Sequence, residues 1–177
     1  FLDAVHPEYQ SQAVSGWIKK GECKTLQTTG KQKRLHFVGA LSLDNMKVMI
    51  QEYETIDADA IVDFFIKLES ESKADNIHII LDNAKAHKNH KLDEYLKNSR
   101  IRLHYLPPYS PNLNSIERLW KVFRELTLYN RFFPTCWEFF EAVRSFFADK
   151  VHKIRELLFR RISDNFQIIK LNPIKLA

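Results

Sequence analysis

The chain has 177 residues, of which 45% are hydrophobic and 12% aromatic, and its net charge is +5. This length and composition are typical of one globular domain with a single core, and they exclude an intrinsically disordered chain. No apolar run reaches the roughly 18–20 residues of a membrane span, and no secretory signal opens the sequence, so we expect no membrane partner. Cys23 and Cys136 match no disulfide or ligand spacing and are interpreted as reduced thiols of a cytoplasmic protein.

Three strands are predicted in the first third of the chain. The apolar run FLDAV at residues 1–5 is interrupted by Asp3. An irregular hairpin is predicted over 13–28. Residues 34–43 then alternate, which is typical of a half-buried strand, and 47–55 form the returning strand. The apolar face of the alternating strand comprises Leu35, Phe37, Leu41 and Leu43.

Helices and strands alternate after residue 56. A helix is predicted over 57–71, with Asp57 or Asp59 as its cap. The nearly all-apolar run NIHIIL at 76–81 is typical of a strand buried on both faces. A polar helix over about 87–98 and a strand over 101–106 follow, and three prolines then prevent helix until about residue 112. Further helices are predicted over about 114–129, 135–148 and 150–168.

Three acidic residues occupy unusual positions in this pattern. Asp3 lies within an apolar strand, where a buried carboxylate needs a cation or donors because its desolvation costs several kcal/mol. Asp82 directly follows the buried strand, and Glu117 lies in the first turn of the helix after the prolines. Each also has a structural alternative. Asp3 could lie in solvent, Asp82 could cap the next helix, and Glu117 could join a capping box with Asn114 or pair with Lys121.

The combination of the three favours a metal site. A mixed sheet can place Asp3 and Asp82 side by side, and 34 residues separate Asp82 from Glu117. Clustered carboxylates raise each other's pKa unless a cation neutralises them. An all-oxygen acidic site suits Mg²⁺ or Mn²⁺, and two such ions about 3.5–4 Å apart can clamp the reacting oxygens of a phosphodiester. Residues 83–131 hold ten lysines and arginines against four acidic residues, which would attract a nucleic-acid backbone.

Three motifs together resemble the DDE transposases of bacterial insertion sequences in the mariner superfamily: FLDAVHP at 1–7, ILDNAKAH at 80–87 and LPPYSPNLNSIERLWKVFR at 106–124. The resemblance covers about residues 1–145. It implies a ribonuclease H-like fold in which Asp3, Asp82 and Glu117 bind the divalent metal, and a homodimer that acts on paired element ends in double-stranded DNA. It further implies cleavage that leaves a 3′-hydroxyl, followed by attack of that hydroxyl on target DNA at a TA dinucleotide, a step that is easily deformed.

We therefore expect an α/β, ribonuclease H-like domain with a mixed five-stranded sheet flanked by helices. Its core would span about 1–148, with a C-terminal helical extension over about 149–177. The helix-turn-helix domains of the family are not recognisable in this chain, which alone is expected to lack specific end binding. The protein would be cytoplasmic and nucleoid-associated in a bacterium. Two alternatives are another ribonuclease H-like nuclease, such as a junction resolvase, which the proline motif disfavours, and an inactive DNA-binding remnant.

Further residues are predicted to support the site or to contact DNA. Asn83 and Asn114 would support the acidic residues. Phosphate contacts are predicted for four basic side chains, with solvated helix faces as the alternative: Lys85, Lys88, Lys121 and Arg124. A phosphate contact is also predicted for His87, which could equally lie on the surface. A zinc site of His87 with His90 is disfavoured because no further ligand cluster accompanies them.

Aromatic residues are expected mainly in the core. The helix after the prolines carries an apolar stripe formed by Ile116, Leu119, Trp120, Phe123 and Leu126. Residues 132–147 also repeat at helical spacing and predict either core or a partner surface, with Trp137, Phe140, Val143 and Phe147 on one face. Trp17 could stack on a base, but packing within the hairpin is favoured.

Overall fold

The computed structural model describes residues 1–23, 25–28, 33–84, 87–108 and 110–162. Each predicted strand is present in shortened form: β1 (Leu2–Val5), β2 (His36–Leu41), β3 (Val48–Tyr53), β4 (Ile77–Leu81) and β5 (Ile101–Tyr105). The helices are α1 (Ala58–Glu71), α2 (His90–Leu96), α3 (Ile116–Thr127), α4 (Cys136–Ser145), α5 (Val151–Lys153) and α6 (Arg155–Arg161). A 3-10 turn at Pro111–Leu113 and a π-helical turn at Phe146–Lys150 complete the described elements. The rest of the predicted last helix and most of the extension lie outside the described residues.

The described strands pair in two groups, not in the single five-stranded sheet that the sequence predicts. β1, β2 and β3 form an antiparallel sheet in that order, with Asp3 opposite Gly39. β4 and β5 form a parallel pair, with Ile77 opposite Ile101. β1 and β4 lie next to each other, but no backbone ladder joins them in the described part of the chain. A hydrophobic pattern indicates that a strand exists and how deeply it is buried, but it does not specify which backbone edges pair.

The antiparallel sheet is covered on both faces. Phe37 and Leu41 of β2 pack into one core with α3 and α4. Val38, between them, is fully buried in a second core with Leu2 and the aromatic residues of α1. The prediction of a half-buried β2 is therefore wrong, because helices cover both sides of it. The described part of the chain contains no helix long and apolar enough to cross a membrane, and both cysteines are free thiols.

Helices α1, α3 and α4 test the predicted cap and the predicted aromatic faces. The predicted cap of α1 is confirmed, because Asp57 accepts a hydrogen bond from the Ala60 amide at 3.0 Å. The apolar stripe of α3 is confirmed as core. In α4 the buried face is shifted: Trp137 is 69% exposed, and the buried residues are Phe139, Val143, Phe146 and Phe147. These four buried residues follow helical spacing, so the helix buries a different face from the predicted one.

The segment between β1 and β2 does not form the predicted hairpin. Its described residues make only isolated bridges, between Glu8 and Arg34 and between Gln12 and Tyr129. Trp17 is fully exposed. The prediction that Trp17 packs within a hairpin is therefore wrong, because the segment has no paired strand against which the ring could pack.

Candidate active site

The three predicted acidic residues line one cleft, with a volume of about 370 Å³. Asp3 comes from β1, Asp82 follows β4, and Glu117 opens α3. We call this cleft the acidic cleft; its other lining residues are Asn83, Ala84, Leu106, Pro107, Pro108, Ser110, Pro111 and Asn114. Segments that are far apart in the sequence thus meet at one point of the fold.

Asp3 is partly buried at the floor of the acidic cleft. Its Oδ2 accepts a hydrogen bond from the Trp120 indole Nε1 at 2.9 Å. The pKa of Asp3 is raised to about 7, mainly by burial and also by the negative charges of Glu117 and Asp82, against the opposing effects of the Trp120 and Ala4 hydrogen bonds. The alternative of a solvent-exposed Asp3 does not hold, and its carboxylate lies within electrostatic range of the other two.

Asp82 lies at the carboxyl end of β4 and does not cap the next helix. Its Oδ1 accepts a hydrogen bond from the Ala84 amide at 3.0 Å and lies 2.9 Å from His87 Nδ1. The cap of α2 is Asn89, whose side chain accepts from the Leu92 amide at 2.9 Å. The asparagine that directly precedes α2 thus performs the role that the sequence offered as an alternative for Asp82.

Glu117 is brought to the acidic cleft by the turn that precedes α3. The 3-10 turn leads into the helix, and the Glu117 amide donates to the Asn114 carbonyl at 3.0 Å. Ser115 is the N-cap residue and makes no side-chain capping bond. Neither the capping box with Asn114 nor the ion pair with Lys121 is found among the described contacts. The carboxylate instead lines the cleft at a helix N-terminus, where the helix dipole favours negative charge.

Both predicted supporting asparagines join elements around the acidic cleft. Asn83 Nδ2 donates to the Leu106 carbonyl at 2.5 Å, which ties the end of β4 to the chain that follows β5. Asn114 Nδ2 donates to the Leu2 carbonyl at 3.1 Å, which ties the start of α3 to β1. The buried Oδ1 atom of Asn114 has no hydrogen-bond partner among the described residues.

His87 differs from both predicted roles. Its side chain is buried, with 3% of the residue exposed, and it contacts Asp82. The Tyr105 hydroxyl donates to the His87 carbonyl at 2.7 Å, which anchors this turn to β5. The buried His87 side chain therefore fixes the position of the Asp82 carboxylate. Sequence reasoning missed this role because the residues around His87 are polar and give no sign of burial.

The predicted basic residues lie in several environments. Lys88 donates to Asn83 Oδ1 at 2.5 Å, and its ammonium lies 5.0 Å from the centre of the Tyr105 ring. Lys121 is exposed on α3, and Arg124 is partly exposed one turn further on. Lys85 lies outside the described residues. Their contacts with DNA stay predictions.

The donor atoms of the acidic cleft fit a hard divalent cation. Its three carboxylates offer only oxygen ligands, the chemistry that Mg²⁺ and Mn²⁺ prefer. Within the described residues, no three histidine, cysteine, aspartate or glutamate side chains stand at ligand distance from a common point, so a zinc site at His87 and His90 gains no support.

A family model described as DDE superfamily endonuclease matches residues 1–139. This chain belongs to the DDE superfamily endonucleases. The matched range includes all three carboxylates of the acidic cleft. The DDE endonuclease assignment drawn from the three sequence motifs is therefore confirmed.

Similar proteins extend this assignment. The DDE endonuclease is 28% identical over 148 residues to the "Insertion element IS630 uncharacterized 39 kDa protein" of Shigella sonnei, a match that covers 82% of this chain and 43% of that protein. Its structure resembles the Mos1 transposase paired-end complex with left transposon end, with a TM-score of 0.66 at 16% identity over 91% of this chain and 50% of the other. It also resembles the Mos1 mariner paired end complex with Mn, with a TM-score of 0.63 at 15% identity over 89% and 52% of the two chains.

The likeness to solved structures shows the fold, and the coverage shows how much of each relative the chain spans. At identities of 15–16% the likeness to Mos1 shows the fold alone, the α/β, ribonuclease H-like fold of a transposase catalytic domain. The chain spans about half the length, or less, of these relatives.

Proposed function

We propose that this chain is the catalytic domain of a bacterial transposase, which cleaves DNA at the ends of an insertion element and joins them to target DNA. The observation that carries the proposal is the acidic cleft, where Asp3, Asp82 and Glu117 converge from three elements. The family match to DDE endonucleases and the likeness to transposase–DNA complexes support it.

The three carboxylates would hold two Mg²⁺ or Mn²⁺ ions, and the likeness to the Mos1 paired end complex with Mn supports a divalent metal cofactor. When bound, such ions activate water and stabilise negative charge on a phosphodiester. The protein's own part is positional. Trp120 fixes one oxygen of Asp3, and His87 fixes one oxygen of Asp82. The ends of both carboxylates thereby keep a defined direction, which matters because this chemistry depends mainly on geometry and charge.

The proposed reaction has two steps. In the first, a water oxygen forms a bond to phosphorus at the element end, and the P–O3′ bond breaks. This leaves a 3′-hydroxyl on the element and a 5′-phosphate on the flanking DNA; one water proton ends on the leaving O3′, and the other passes to solvent. In the second, that 3′-hydroxyl attacks a target phosphodiester, and its proton ends on the target strand, which leaves with its own 3′-hydroxyl. No external oxidant or energy source is needed, because the first step is a hydrolysis and the second replaces one phosphodiester with another.

The wider assembly follows from the same proposal. Lys85, Lys88, Lys121 and Arg124 would contact the phosphates of double-stranded DNA, and two copies of the protein would act on paired ends and insert at TA. The catalytic core would span about 1–148, with β1 and β4 in contact within it. The protein would act in the bacterial cytoplasm, on the nucleoid.

The test is cleavage, by the full-length protein that contains this domain, of DNA that carries the ends of the element in which the gene lies. We expect nicking that requires Mg²⁺ or Mn²⁺ and falls at least about 100-fold in Asp82→Asn. Asp75→Asn is the matched control, because it makes the same chemical change at an exposed position between α1 and β4. Both variants should bind DNA as the unmodified protein does.

Each other outcome has a clear meaning. Equal cleavage by Asp82→Asn and Asp75→Asn would remove Asp82 from the reaction. DNA binding without cleavage by the unmodified protein would support the remnant alternative. Faster cleavage of four-way junctions than of element ends would support a resolvase instead.

A further inference from the structure

Helix α3 is joined to β1 on both sides of Glu117. Before Glu117, Asn114 Nδ2 donates to the Leu2 carbonyl at 3.1 Å. After it, Trp120 Nε1 donates to Asp3 Oδ2 at 2.9 Å. Residues 114, 117 and 120 follow one another at intervals of three, so they lie along one side of the start of α3. The two outer residues hold β1 while the middle one faces the acidic cleft.

The indole ring of Trp120 lies directly on the backbone of β2. Gly39 is opposite Asp3 in the β1–β2 ladder. A Cβ atom added at Gly39 would lie 2.5 Å from Cη2 of Trp120 and 2.7 Å from Cδ1 of Ile50. Real Cβ contacts are not this short, so only glycine leaves room for the ring in this position.

The rest of the Trp120 ring is enclosed. The residue is 1% exposed, and Phe147 packs edge-on against it, with ring planes at 89° and centroids 6.0 Å apart. Because a large planar side chain in a close-packed core cannot rotate freely, the direction of its N–H is fixed. The bond to Asp3 is therefore determined by the core, not by Asp3.

We infer that Trp120, seated on Gly39, is a positioning residue that orients the Asp3 carboxylate and sets its spacing from Glu117. This inference rests on the proposed function, in which Asp3 is a metal ligand. The indole N–H holds Oδ2 of Asp3, a residue that lines the acidic cleft. Outer partners that orient metal ligands typically contribute 10- to 100-fold to metal affinity.

The test measures Mn²⁺ binding to the chain without DNA, by electron paramagnetic resonance of the free ion. Trp120→Phe keeps an aromatic ring in the core but removes the N–H, whereas Gly39→Ala keeps the N–H but displaces the ring. We expect both to bind Mn²⁺ roughly 10- to 100-fold more weakly than the unmodified chain. Phe139→Leu is the control, because Phe139 is buried and packs on Tyr9, Phe133 and Phe140, away from the acidic cleft.

Thermal unfolding of each variant separates positioning from stability. A purely structural role predicts that Trp120→Phe and Phe139→Leu both unfold at lower temperature and both bind Mn²⁺ normally, and that result would overturn the inference. If Gly39→Ala does not fold, Trp120→Phe alone decides. Failure of the proposed function is distinguishable, because the unmodified chain and Asp3→Asn would then bind Mn²⁺ equally.

Discussion

Asp3 carries the largest electrostatic cost in the acidic cleft. It is partly buried, and it lies within range of two other negative charges. Its two hydrogen bonds, from Trp120 and from the Ala4 amide, offset only part of the desolvation, so its pKa remains raised to about 7. The arrangement destabilises the metal-free protein near neutral pH and prepares the carboxylate to accept a cation.

Asp3→Asn should therefore stabilise the metal-free chain more at pH 8 than at pH 5. A carboxyl group whose folded pKa of about 7 exceeds its unfolded value near 3.8 adds stability that is complete below pH 3.8. That contribution is lost as the pH rises toward 7. Removing the charge should thus raise the free energy of unfolding by roughly 2–4 kcal/mol at pH 8. The measurement is thermal or urea unfolding with a chelator present.

Asp75→Asn again serves as the control, since its exposed side chain should leave the pH profile of unfolding unchanged. If Asp3→Asn unfolded at the same temperature as the unmodified chain at both pH values, the electrostatic cost assigned to Asp3 would be wrong.

At the scale of elements, the chain separates the capping of α2 from the acidic site. Asn89 caps the helix directly, while Asp82 lies eight positions before its first residue and turns toward His87. Since these two polar residues, seven positions apart, serve different purposes, substitutions at each should have opposite consequences.

Asn89→Ala should lower the free energy of unfolding by about 1 kcal/mol, because the Leu92 amide loses its acceptor, and should leave DNA cleavage intact. Asp82→Asn should do the reverse, with little change in unfolding and loss of cleavage. Chemical denaturation and the cleavage assay provide the two readouts. If the amides of α2 lost protection from hydrogen exchange in Asp82→Asn but not in Asn89→Ala, the assignment of the α2 cap to Asn89 would be wrong.

Most elements could be predicted from the sequence because their periods are clear. The stripe of α3 reports the burial of its own element, and the three prolines restrict where α3 can begin. The apolar run of β4 predicts the strand correctly, but the prediction that this strand is buried on both faces is wrong, since only Ile79 and Leu81 are buried and His78 is exposed. The sequence could not predict that the strands pair in two groups, that the buried face of α4 is shifted, or that Trp17 is exposed. These depend on backbone edges, on which helix face meets the rest of the core and on the packing of a long connection, none of which leaves a periodic signal.

The acidic cleft was predictable in part for similar reasons. Residue type and spacing, together with the family resemblance, pointed to Asp3, Asp82 and Glu117 as one group. The roles of His87 and Trp120 were not visible. A histidine among polar neighbours gives no sign of burial, and a tryptophan in an apolar stripe gives no sign of where its N–H points.

At the scale of the whole molecule, the acidic cleft draws on segments that fold into two different cores. Leu2 and Leu81, next to Asp3 and Asp82, pack in the core with α1, whereas Ile116 packs in the core with α4. A cation held by all three carboxylates would therefore link the two cores. Its binding should stabilise the entire fold, since the ion would have little affinity for the unfolded chain.

Mg²⁺ or Mn²⁺ should raise the unfolding temperature in a concentration-dependent way. At a metal concentration of 100 times the dissociation constant, the free energy of unfolding should increase by about 2.7 kcal/mol. Glu117→Gln should lose most of this shift, because it removes one charge from the acidic cleft. Glu156→Gln, on the exposed surface of α6, should retain it. Differential scanning fluorimetry across a metal titration gives the comparison, and an equal shift in both variants would contradict a shared metal site.

The contact between Gly39 and Trp120 also constrains how this domain can change over evolution. A side chain larger than hydrogen at position 39 collides with the ring at position 120. A larger residue at position 39 is therefore tolerated only if the residue at position 120 also changes. Among descendants of this sequence, a larger residue at 39 should be found only with a smaller ring or no ring at 120. In such lineages another hydrogen-bond donor should arise beside Asp3.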